Sequence, residues 1–226
     1  MERVHIATEK PFSEVRFVAV ALKPIDETQR HIGLLHRGDD RHEPMMLHLA
    51  WHLDLRNEPA RADYVWVDPT IHERRAKQVA AFCRRVWRQN GKSIPYAFSH
   101  PNDCFDPTTA QFLFGKTKLG LTCATFVLAV FHAVGLQLLD LDSWPTRPDD
   151  VEWQRNVLGL LSERGASADH LRSVEAEPRA ARFRPEETGG AAAHRPWPVP
   201  FAVAAEVGRQ IVALMAVLKH PDEPVA

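Results

Sequence analysis

Cysteine is scarce in this chain. There are three among 226 residues, Cys83, Cys104 and Cys123, with no CxxC pair. That number and spacing exclude a disulfide framework and offer no zinc-ribbon or thioredoxin-like motif, so a reduced compartment is the simpler setting. An excess of charge of one sign is also missing. With 28 basic and 29 acidic residues the formal net charge is -1, which provides no global field for recruiting nucleic acid or an anionic membrane. Nowhere do about 18 uncharged apolar residues follow one another, so no membrane span is expected. The stretch MERVHIATEKPFSEVRF has no basic region followed by an apolar run. This predicts a cytoplasmic product made without a Sec signal, with delivery by another secretion system left open. HExxH is absent, the IHERR of residues 71–75 lacks a second histidine, and neither a metal nor a cofactor is expected.

What is present is enough apolar residue, 45% of the chain, to bury one main core. Residues 15–24, 31–38, 45–55 and 63–68 are short, rich in valine, leucine and aromatics, and separated by charged or proline-containing breaks, so they read as a four-stranded antiparallel meander. The pattern then changes period. Ile71, Ala76, Val79, Ala80, Phe82, Cys83, Val86 and Trp87 make a helical stripe closed by Gly91, with Cys83 as a buried structural thiol. Residues 92–120 read as loop, and a helix runs from about Thr122 to Val134, stopped by Gly135. Asp149 or Asp150 can cap the next helix, a short one follows near residues 167–176, and the last helix begins at Phe201. Residues 176–200, with five prolines and the run TGGAAAH, read as linker. The expected class is α+β, with a first unit over 1–140 and a helical C-terminal extension over 141–226.

In GLTCATFVLAVFHAVG, residues 120–135, one cysteine stands at the first turn of the helix and not in its apolar body. Unpaired amides and the positive end of the helix dipole favour thiolate there, which makes Cys123 a candidate nucleophile. The plainer reading is a small buried side chain. A nucleophilic cysteine needs a base and the base an orienting partner, so the histidines decide. Five of the twelve lie within residues 31–52: His31, His36, His42, His48 and His52. His31 opens one predicted strand and His48 lies inside the next, so antiparallel pairing can set them side by side. His36 and His42, flanking RGDDR, read as solvated hairpin residues.

Three separated stretches resemble one family. HIGLLHRGDDRHEPMMLHLA is similar to the histidine strands of NlpC-type papain-fold cysteine peptidases, IPYAF to their Pro-Tyr segment, and GLTCATFVLAVFHAVG to their cysteine helix. The histidine strands precede the cysteine, as in the circularly permuted branch that includes relatives of lecithin retinol acyltransferase. The resemblance covers about residues 15–135. It implies Cys123 as nucleophile, His31 as general base, His48 as orienting residue and Tyr96 beside the oxyanion site. It also implies a cysteine hydrolase acting on an amide bond, for instance in a peptidoglycan stem peptide. Where that family has Asp-Cys-Ser-Gly this chain has Thr122, Cys123, Ala124 and Thr125, and Tyr96 lies 27 residues before the cysteine. Acyl transfer or thioesterase action on lipid or protein is the alternative for the same residues. A catalytically silent module that docks a partner protein through its C-terminal helices is the second.

Overall fold

Alternation along the strands sorts their side chains onto two faces, and one face is far more apolar than the other. The computed structural model describes residues 2–38, 43–98, 102–115, 119–176 and 181–219. Among them, six strands form one antiparallel sheet: β1 (Val4–Ile6), β2 (Val18–Pro24), β3 (Arg30–His36), β4 (Met45–Trp51), β5 (Asp54–Pro59) and β6 (Val65–Val67). Their order is β1-β6-β2-β3-β4-β5. Leu22, Ile32, Leu34, Leu47 and Leu49 point into the main core, while Ala19, Ala21, Leu35, Met46, Tyr64 and Trp66 form a smaller cluster on the opposite face.

Six helices are described: α1 (Glu73–Asn90), α2 (Cys123–Ala133), α3 (Pro148–Glu163), α4 (Ala168–Glu175), α5 (Pro185–Ala193) and α6 (Phe201–Lys219). Their buried side chains join the main core, which runs without a break from Val4 to Met215. The architecture is therefore α+β, with an antiparallel sheet covered by helices on one face.

The order of the sheet corrects the expected meander. β6 does not follow β5 at the edge but inserts between β1 and β2, pairing Val67 with Val4 and with Val20. Burial explains the choice. All three residues of β6 are buried, so the strand needs cover on both faces. β5, DLRNEP, buries only Leu55 and ends in a proline, which suits an edge.

The expected linker is corrected too. Residues 185–193, PEETGGAAA, form α5, and eight of its nine residues are buried. Its small residues let the backbone come close to its neighbours. A Cβ on Gly190 would run into the Ala204 carbonyl oxygen of α6, and one on Gly189 would lie 3.0 Å from the Leu22 side chain of β2. The start of α5 is held by charge. Arg147, the N-cap of α3, is paired with Glu187, while Arg30 at the start of β3 reaches Glu186 at 3.5 Å. Partnered carboxylates are what allow this end of the helix to be buried. Asp150 takes the N3 place of α3, one turn later than a cap, and accepts the Arg147 amide at 3.0 Å.

Candidate functional site

The site begins with a break in the sheet. β3 and β4 are paired only at Leu34–Leu47, Leu35–Met46 and His36–Met45, although both strands continue past that point. At the next position the strands still touch: a Cβ on Gly33 would lie 2.7 Å from the His48 Cβ, so only glycine fits. Beyond Gly33 the ladder stops, and Ile32 and Leu49 are no longer paired across it. β3 and β4 thus form a fork. A buried amide left without a partner costs about 1–3 kcal/mol, so an opening here needs another group to fill it.

Cys123 is that group. It is the first residue of α2, whose N-cap Thr122 accepts the Thr125 amide at 3.1 Å while Thr125 Oγ1 accepts the Thr122 amide at 2.8 Å. This reciprocal capping fixes the first turn with threonines where the resembled family has other residues. Burial dominates the thiol and pushes its pKa up to about 11. The backbone N–H groups of Ile32, Ala124 and Cys123 oppose that effect, so the sulfur lies at the Ile32 amide inside the fork. The helix N-terminus therefore does not give a resting thiolate here. As residues, Cys123 is 8% exposed against 0% for Cys83 and 1% for Cys104.

His31 and His48 meet on the opposite face from the body of α2. His31 Nε2 and His48 Nδ1 are 2.7 Å apart, with the rings edge-on. His48 Nε2 continues to Glu58 Oε1 on β5 at 3.3 Å. Burial, then His48, Lys23 and Arg56, lower the His31 pKa to about 3. Burial also lowers that of His48, against the raising effect of Glu58. Both rings are neutral at pH 7. A pocket of about 220 Å³ opens over them, lined also by Lys23, Met46, Arg56, Glu58 and Tyr64. Among the described residues no hydrogen bond joins the Cys123 sulfur to either imidazole.

Tyr96 is buried and stacked on Trp51 at 4.8 Å. Burial raises its pKa first, and the nearby Cys123 sulfur adds to the shift. Its backbone is clamped: the amide donates to His52 Nδ1 at 3.2 Å, and the carbonyl oxygen lies 3.0 Å from His170 Nε2. His36 corrects its expected exposure. It is 2% exposed, on the helix face, with Nε2 at 2.8 Å from Asn57 Oδ1; β3 extends through it and carries it into the core. His42 lies outside the described residues. Among those described, no group of three or more His, Cys, Asp or Glu side chains could hold a metal ion, and no helix is long and apolar enough to cross a membrane.

Sequence reasoning missed two neighbours. Glu58 shares a face with Arg56, which pairs with His48 in the ladder, and alternation within β5 was the available signal. Arg182 precedes α5 in a stretch read as linker. Its guanidinium lies 4.2 Å over the Trp153 ring and donates to Gln29 Oε1 at 3.3 Å, and its charge favours the Cys123 thiolate. A larger hollow of about 570 Å³ lies beside α1, at Arg16, Arg37, Lys77 and Arg84, with none of the three cysteines on its wall. No known protein family, curated protein or solved structure matches this chain.

Proposed function

We propose that this protein is a cysteine hydrolase of the permuted papain-like kind, cleaving an amide bond through a thioester. The observation that carries the reading is the fork: a capped helix N-terminus delivers Cys123 to the Ile32 amide, one residue from His31, while His31 is bonded to His48 on the adjoining strand. Core packing alone gives no reason to open a sheet next to two bonded imidazoles.

In this reading His31 Nδ1 takes the Cys123 proton as the sulfur attacks the substrate carbonyl carbon. A neutral thiol and a neutral imidazole are the resting pair, so deprotonation accompanies attack and no ion pair precedes it. The Cys123 amide, at the first position of α2 where the helix itself offers no acceptor, and the Tyr96 hydroxyl receive the developing oxyanion. The C–N bond breaks, the leaving amine takes the proton from His31, and the acyl group stays on sulfur. Water then attacks the thioester, giving its proton to His31, and the carboxylic acid departs as the thiol re-forms. His48 orients the His31 ring. The substrate class is a peptide amide, with peptidoglycan stem peptides as the first to try.

The test is intact mass after brief incubation with peptidoglycan fragments, model amides and acyl-thioesters in parallel, repeated with Cys123→Ala. An acyl adduct that maps to Cys123 and is released by hydroxylamine supports the reading. Adducts from thioesters alone move the activity to acyl transfer or thioester hydrolysis. Absence of any adduct, with no turnover, makes the protein a silent binding module.

A further inference from the structure

Glu58 lies at the end of a hydrogen-bonded chain whose direction can be deduced. A carboxylate has only acceptor capacity, so the 3.3 Å contact with His48 Nε2 requires the proton on that nitrogen. At pH 7 His48 is neutral, its pKa lowered chiefly by burial, so its Nδ1 then carries none and can only accept. The atom 2.7 Å from that Nδ1 is His31 Nε2, which must therefore be the donor. One proton remains to a neutral imidazole, and it is now placed. His31 Nδ1 is left with a bare lone pair.

We infer that Glu58 is a positioning residue that fixes the tautomers of His48 and, through it, of His31, so that the only free ring nitrogen of His31 is a base. The value of this to the protein rests on the proposed role of His31 as base, but the tautomers themselves do not. Without an acceptor at Glu58, each neutral imidazole can exchange which nitrogen holds the proton, and the reversed chain leaves a proton on His31 Nδ1, where it cannot accept one from a thiol. Glu58 suits the task because its side chain is 49% exposed against 5% for His48. Its carboxylate reaches the buried ring from the solvent side. Arg56, beside it on β5, is engaged by Asp54 at 2.6 Å, so it does not compete strongly for that oxygen.

The experiment is long-range 15N–1H correlation of the histidine rings at pH 7.5 in the full chain, for the wild type, Glu58→Gln and Glu58→Ala. In the wild type both His48 and His31 should show the proton on Nε2 and a bare Nδ1. Glu58→Gln keeps an acceptor oxygen and should retain most of that state. Glu58→Ala should give a mixture or the reversed arrangement, and iodoacetamide should alkylate Cys123 several-fold more slowly than in the wild type. A proton on His31 Nδ1 in the wild type, or tautomers unchanged in Glu58→Ala, would overturn the inference. Altered tautomers with an unchanged alkylation rate would keep Glu58 as the tautomer-setting group and remove His31 as the base of Cys123.

Discussion

Two pairs of histidines are built on opposite plans. His31 and His48 bond to each other at 2.7 Å, edge-on, and leave Nδ1 of His31 uncommitted among the described residues. His52 and His170 lie closer ring to ring, 4.4 Å between centroids, but they do not bond to each other. Each is turned instead to the backbone of Tyr96, one to its amide and one to its carbonyl. The second pair closes a backbone account in a loop with no ladder to do so. The first joins two strands where their own ladder has stopped; each pair leaves a nitrogen without a partner among the described residues, His31 Nδ1 in the first and the buried His170 Nδ1 in the second. A histidine bonded to the main chain is read as structure; one bonded to a second imidazole beside an open pocket is read as chemistry.

The largest expected effect separates the two pairs by activity. His31→Ala should lower the rate of acylation or alkylation at Cys123 by about 10²–10⁴-fold, the range for a lost general base. His52→Ala should leave that rate within a few-fold, as measured on the fraction that is folded. Equal losses in both variants would dissolve the distinction.

Stability should rank the pairs the other way. His170→Ala strips the Tyr96 carbonyl of its partner in a buried place, at a cost of about 1–3 kcal/mol, read from urea midpoints at constant slope. In His31→Ala the adjoining pocket lets water reach His48, so the loss should be smaller. A greater loss in His31→Ala would make the fork pair the structural one.

The smallest effect is with acid. The pKa of His52 is lowered to about 4, by burial first and by His170 second, and that of His31 to about 3. Both stand below the unfolded value of 6.5, so the unfolded chain binds more protons between those limits. Stability from this source is complete above pH 6.5 and declines as pH falls through 4 and 3. His52→Asn should flatten the upper part of that decline in urea midpoints taken from pH 7 to 4, while a slope identical to the wild type would deny His52 its buried neutral state.

Much of this contrast could be read before the fold was seen. His31 and His48 open one strand and occupy the next, so neighbouring antiparallel strands can bring them together, and Thr122 before Cys123 marks a capped helix start. The fork was not legible, because strand separation leaves no mark in Leu34, Gly33 or Ile32 themselves. Nor was α5: a pattern search weighs large apolar residues, and TGGAAA buries itself through being small. His36 was misread because it adjoins the charged RGDDR, although alternation along β3 puts it on the inward face with Leu34, where its Nε2 lies 2.8 Å from Asn57 Oδ1. Glu58 was passed over as one charge on a polar edge strand; only its position opposite β4 gives it a histidine to hold.

The account depends most on Cys123 being a thiol apart from the other two. All three are pushed up by burial, Cys83 and Cys104 to about 12 and Cys123 to about 11, so thiolate at pH 7 should favour Cys123 by about tenfold, one pKa unit. The direct measurement is peptide mapping after limited iodoacetamide treatment of the native protein at pH 7, with His31→Ala alongside. The account predicts label on Cys123 well ahead of Cys104 and Cys83, and a clear slowing at Cys123 when His31 is removed. Labelling that reaches Cys104 first, or that at Cys123 ignores the loss of His31, would contradict it.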